Sequence, residues 1–219
     1  MHRIMYLWLI VAFFVVPAAC FAQTGTVTVT VTKSSVSPCT GGTDTHFYNG
    51  GDPISLNLPF CATRVNVTTS GTSVNIGSIT LTGGPTNTPL DIVIGSGALS
   101  QSDTLPPQIG NDWAGLDVSA IASGVETRLA GGIGGNLTGS IGVKQLFRID
   151  VGGQVQAAIT ATNPGNFGGV CAVEAGSIGT GGSITLTNGP LLRVLTTGSG
   201  DIAREHYGNQ RSDRELDRR

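Results

Sequence analysis

The nonapeptide Gly77-Ser78-Ile79-Thr80-Leu81-Thr82-Gly83-Gly84-Pro85 returns as Gly182-Ser183-Ile184-Thr185-Leu186-Thr187-Asn188-Gly189-Pro190, with Asn in place of one Gly. A strand and its closing turn are used twice, which constrains the chain to an architecture of repeated units rather than a one-off enzyme core. The rest of the sequence agrees with strand. With 33 Gly, 12% charged and 5% aromatic residues in 219, few large side chains are available to fill a thick core. Val, Ile, Leu and Thr carry the load instead, and β-branched side chains stack well on pleated surfaces while disfavouring helix. The glycines follow no Gly-X-Y period, which excludes collagen and assigns them to turns, bulges and corners. A net charge of −2 provides no basic surface to recruit nucleic acid.

Residues 1–22 read as an export signal. Arg3 precedes an apolar run from Ile4 to Val16, Pro17 breaks it, and small residues follow, with cleavage expected after Ala22. Two alternatives stay open at this point. The segment from Ile4 to Ala22 is long enough to remain as an uncleaved membrane anchor. Cys20, behind Ala18 and Ala19, could instead be lipidated, although Pro17 stands where a lipoprotein signal usually has Leu. Export gives the cysteines their meaning, because exported chains meet an oxidising compartment. Cys39 and Cys61 both lie in an irregular, turn-rich region and are expected to form a disulfide; closing about 22 residues contributes on the order of 3 kcal/mol. Cys171, flanked by Val170, Ala172 and Val173, reads as a buried small apolar residue.

From Thr24 to Thr32 the sequence alternates strictly, placing Val27, Val29 and Val31 on one face of a strand. Residues 33 to 63 are turn-rich and hold the expected disulfide, so residues 23–73 form a stapled N-terminal β cap. From Val74 onward short apolar runs alternate with glycine pairs such as Gly83-Gly84, Gly131-Gly132 and Gly152-Gly153, each expected at a sharp corner. Residues 100 to 115 interrupt the pattern with Pro106, Pro107, Asn111, Asp112, Trp113 and Gly115 and read as a loop leaving the body. Residues 201–219 change character abruptly: ten of 19 are charged, against 16 in the preceding 200. That composition suits a solvated helix or disorder, or a segment foreign to the body it follows.

The segments Gly77-Ser78-Ile79, Gly139-Ser140-Ile141, Gly176-Ser177-Ile178 and Gly182-Ser183-Ile184 recur through residues 74–200. Together with Asn136-Leu137-Thr138 and Arg148-Ile149-Asp150-Val151-Gly152-Gly153 they give the chain its likeness to a family. In style it resembles bacterial secreted right-handed parallel β-helix surface proteins. The resemblance implies an all-β fold, a parallel β-helix (β-solenoid) over residues 74–200 with the N-terminal β cap in front; a β-sandwich with Greek-key connections is the alternative.

No catalytic residue is assigned. The best ligand-binding candidates are Asn111, Asp112 and Trp113 with Asp117, because Trp offers a flat apolar face to a sugar ring and Asp or Asn can hydrogen-bond its hydroxyls. Against this stands the plainer role of Trp113 as core. Parallel β-helices include polysaccharide lyases and hydrolases, which need clustered carboxylates, yet Asp91, Asp117, Asp150 and Glu174 are scattered singly. Asp44, His46 and Tyr48 alternate and share one face of a short strand, where turn hydrogen bonding is expected of them rather than metal binding. No zinc spacing and no phosphate loop is present, so neither metal nor cofactor is expected. The sequence reads as an exported structural or adhesive protein of the cell surface or envelope, without catalytic activity. Its partners would be surface glycans or other envelope proteins, and it would meet a membrane only through residues 4–22 or a lipid on Cys20. A carbohydrate-binding or polysaccharide-degrading protein, and a non-functional fragment of a longer surface protein, are the alternatives.

Overall fold

The computed structural model describes residues 25–85, 89–95, 99, 107–162, 172–187 and 193–196. The expected signal segment 1–22 with Cys20, Cys171, and the charged tail 201–219 lie outside the described residues. In chain order the strands are β1 (Thr26–Lys33), β2 (Thr43–Asn49), β3 (Ile54–Leu58), β4 (Ala62–Thr69), β5 (Ile79–Gly83), β6 (Leu90–Ile94) and β7 (Leu116–Ile121). They continue as β8 (Thr127–Ile133), β9 (Ile141–Val143), β10 (Gln145–Val155), β11 (Ala158–Ala161), β12 (Ala172–Ile178), β13 (Ser183–Leu186) and β14 (Arg193–Thr196).

The strands make two sheets. One has eight strands in the order β14-β12-β10-β8-β6-β4-β1-β2, the other six in the order β13-β11-β9-β7-β5-β3. From β3 onward successive strands switch sheets at each connection, and neighbours within a sheet pair in parallel. At the N-terminal end the pattern changes, because β1 runs antiparallel to both β2 and β4 and makes the larger sheet mixed. Among the described residues both sheets are open and end in edge strands, and their inward residues belong to one continuous hydrophobic core.

This topology corrects the expected parallel β-helix. The chain forms a two-sheet, sandwich-like all-β arrangement with one mixed and one parallel sheet. Its connections are not those of a Greek key, since sequence neighbours fall in opposite sheets. The misreading has a physical source in the glycines. Gly83 and Gly84 do turn the chain with positive φ of 72° and 92°, but Gly131 and Gly132 lie inside β8 and Gly152 and Gly153 inside β10. A Cβ on Gly131 would fall 2.5 Å from the Cβ of Ile94. Close approach of neighbouring side chains, not a corner, requires glycine there.

The core is thin and aliphatic. In the six-stranded sheet Ile54, Ile79, Leu116, Ile141, Ile159 and Ile184 fall in register as one inward column. In the other sheet Val65, Ile92, Leu129 and Leu146 do the same. Each such side chain taken out of water contributes roughly 1.5–3 kcal/mol, so the columns dominate the stabilisation. In β1 the alternation is realised as read: Val27, Val29 and Val31 are buried and the intervening threonines are not. Cys39 and Cys61 are joined by a disulfide with Cα atoms 5.9 Å apart, tying the β1–β2 loop to the β3–β4 turn.

Candidate functional site

Asn111, Asp112 and Trp113 do not form a projecting loop; they are tied into the body. Trp113 is 1% exposed and makes single parallel bridges to Ile76 on one side and Leu137 on the other, and Leu137 bridges on to Val155. The residue before each member of this line is polar, and the polar side chains form a second line. Asn75 Oδ1 accepts the Asp112 backbone N–H at 3.1 Å and the Asn111 side-chain amide at 3.1 Å. Asp112 Oδ1 accepts the Asn136 backbone N–H at 2.8 Å and its side-chain amide at 3.2 Å. Asn136 Oδ1 accepts the Gln154 N–H at 2.8 Å. Short polar side chains thus satisfy the backbone donors of the next layer where the chain bends and has only single bridges. The indole face of Trp113 is spent on the core, and its buried Nε1 has no hydrogen-bond partner. A sugar ring cannot reach it. The side chain of Asn136 is likewise engaged within the body.

Asp117 lies elsewhere, exposed on β7. Its Oδ1 accepts the Ser119 N–H at 2.8 Å, and the backbone and side-chain hydrogen bonds from Ser119 hold its carboxyl below the usual carboxylate range. This turn marks an irregularity. Thr80 of β5 pairs with Asp117 and Thr82 with Ala120, so three residues of β7 span two of β5. The extra residue is a β-bulge, and on the other side of β7 pairing with β9 is limited to Leu116 and Ile141. Beyond that pair the strands diverge.

A cavity of about 790 Å³ opens at the divergence. Asp117, Ser119, Ser140, Lys144, Thr160 and Thr162 supply polar groups to its wall, with Val118, Ile121, Ala122, Val125 and Val143 as the apolar part. It falls within the size range of ligand sites. Sequence reasoning placed one of its residues, Asp117, among the candidates but missed the groove. The available signal was the break of alternation at Ala120-Ile121, where two apolar residues adjoin after Leu116-Asp117-Val118-Ser119 has alternated, a shift of phase that an inserted residue leaves in a strand.

The carboxylates do not converge on Trp113. Asp91 accepts a hydrogen bond from Arg128 Nε at 2.6 Å on the eight-stranded sheet. On the same sheet Arg148 Nη2 lies 2.8 Å from Glu174 Oε1, and Gln108 donates to Asp150 at 3.0 Å. Asp150 and Glu174 are register neighbours and both buried. Desolvation by burial, chiefly, and the Glu174 charge push the Asp150 carboxyl above the usual carboxylate range, against the Gln108 hydrogen bond and the Arg148 charge. Asp117 belongs to the other sheet. Asp44, His46 and Tyr48 do share one half-buried face of β2, where Asp44 pairs with Lys33 at 3.0 Å. Among the described residues no group of three His, Cys, Asp or Glu is placed to hold a metal ion, and no helix is long and apolar enough to cross a membrane. No protein-family model, curated protein or solved structure matches the chain.

Proposed function

We propose that the chain is an exported, non-catalytic scaffold protein with a structural or adhesive role at the cell surface or in the envelope. The internal use of the best candidate side chains carries this reading. Asn111, Asp112 and Trp113 go to the polar ladder and the core, and three of the carboxylates are engaged with Arg128, Arg148 and Gln108. What remains at the surface is a hydroxyl-rich body suited to passive contact with glycans or other proteins. The Cys39–Cys61 disulfide supports the compartment, because such bonds persist where thiols are not kept reduced.

The full chain produced in a bacterial host, fractionated and treated with a maleimide before reduction, tests the reading. Recovery outside the cytoplasm with Cys39 and Cys61 blocked to alkylation is the expected result; cytoplasmic recovery with both thiols reactive would overturn it. Incubation with bacterial polysaccharides is expected to release no reducing ends. Release that disappears in an Asp150→Asn, Glu174→Gln double variant would replace the scaffold by an enzyme.

A further inference from the structure

We propose that the groove between β7 and β9 binds an extended peptide segment of a partner protein, alternating apolar and small polar residues and bearing a basic residue followed two positions on by an acidic one. The interrupted strand pairing comes first. In a parallel register the next bonds after Leu116–Ile141 would join Val118 to Gly142 and Lys144, but pairing stops at that one pair. The Lys144 N–H donates instead to Thr127 Oγ1 at 3.0 Å. Main-chain groups at the edges of two strands therefore face the groove, and an extended chain is the ligand whose own backbone matches that spacing.

Three further features fit the same occupant. Gly142 is exposed, and a Cβ built on it would meet nothing within 4 Å, so bare backbone is accessible along the groove. The wall alternates in character, with hydroxyls from Ser119, Ser140 and Thr160 beside apolar Val118, Ala122 and Val125. Charge is separated along the strand direction: Asp117 stands at the start of the gap beside the Leu116–Ile141 pair, and Lys144 follows the last residue of β9. Among the described residues Lys144 makes no ion pair. Among the described residues no aromatic side chain lines the groove to offer a face to a saccharide.

The bulge is what keeps the groove open. It shifts β7 by one residue against β5, and the Asp117–Ser119 hydrogen bond holds the turn of the bulge on the strand that lines the groove. Bulges that end pairing are a recurrent device beside binding sites. The inference is independent of the compartment and of the scaffold role, because it rests on this groove alone.

The test uses the full chain and a pool of end-blocked hexapeptides that alternate Val, Ile or Leu with polar residues, Lys at the second position, Glu at the fourth and Thr or Ser at the sixth. Saturable binding by fluorescence anisotropy is expected. A pool N-methylated at alternate residues, which lacks the backbone donors, should bind at least about tenfold more weakly. Gly142→Val and Lys144→Glu should each weaken binding about tenfold while leaving the unfolding midpoint near that of the unaltered chain. If Gly142→Val does not fold, Lys144→Glu, a change at a half-buried side chain that makes no ion pair among the described residues, decides alone. Absence of saturable binding, equal binding by the N-methylated pool, or binding indifferent to both variants would overturn the proposal. Malto-oligosaccharide binding that the variants abolish, without peptide binding, would reassign the groove to saccharides.

Discussion

The outer faces of the two sheets solve the same problem in opposite ways. On the outer face of the eight-stranded sheet the carboxylates are engaged, Asp91 with Arg128, Glu174 with Arg148 and Asp150 with Gln108, and Asp150 and Glu174 are only 9% and 6% exposed. On the six-stranded sheet the outward residues between β7 and β11 are mostly Ser, Thr and Gly, and the ladder is split by a bulge. The first arrangement uses up its own chemistry, and a partner arriving there would have to break charge-assisted bonds. The second leaves main-chain and hydroxyl groups facing solvent. Concentration of charge is thus a poor guide to function in this molecule, and interruption of regular pairing a better one.

The comparison is broken most severely by removing what both sheets share. Trp113 fills the core where the chain passes between them and is 1% exposed, so Trp113→Ala should cost about 3–5 kcal/mol in urea unfolding through the cavity it leaves. A much smaller loss would mean that the indole is not core, and would reopen its role as a binding platform. Next comes the staple at the N-terminal end. The Cys39–Cys61 disulfide closes a separation of 22 residues, and the Cys39→Ser, Cys61→Ser double variant should lose about 3 kcal/mol relative to the oxidised chain. The peptide groove is remote in sequence from that loop, so the variant should keep binding wherever it stays folded.

How much of this could be read beforehand differs between elements. The strict alternation around Val27, Val29 and Val31 identified β1 because period two has one structural meaning when every second residue is β-branched and apolar. The Cys39–Cys61 pairing was legible because few cysteines compete in that region. Gly131-Gly132 misled, since glycine serves equally at a corner and under a tightly packed neighbour, and only Ile94, 37 residues upstream, distinguishes the two. Two sheets facing across a core and a single coil use the same short apolar runs, so those runs do not separate the two fold classes. Trp113 and Asp112 drew attention as polar-aromatic neighbours, but their partners Asn75, Leu137 and Asn136 are set by register, a long-range property that local composition does not carry.

The polar ladder sharpens the contrast at an intermediate scale. Asp112 Oδ1 accepts two hydrogen bonds from Asn136. Asp112→Ala would leave those donors without their acceptor at a half-buried position and should cost about 1–3 kcal/mol. Asp112→Asn keeps an oxygen in place and should recover most of the loss. Equal destabilisation by both variants would show that charge, rather than geometry, is what the ladder needs at this position.

The smallest effect is also the one with a sign that distinguishes the ionic face from a merely stabilising one. Because desolvation, with the Glu174 charge, raises the Asp150 carboxyl above its usual range, the folded state holds that proton more tightly than the unfolded chain. The resulting stabilisation is fully present below the usual carboxylate pKa and is lost as pH rises through the raised value. Asp150→Asn removes the ionisation and retains an oxygen for Gln108. It should therefore match the unaltered chain in acid and exceed its stability at neutral pH by less than about 1 kcal/mol. A loss of stability at neutral pH would mean that Arg148 attracts Asp150 more strongly than burial and Glu174 oppose its charge. The buried carboxylates would then hold the outer strands together rather than being tolerated there.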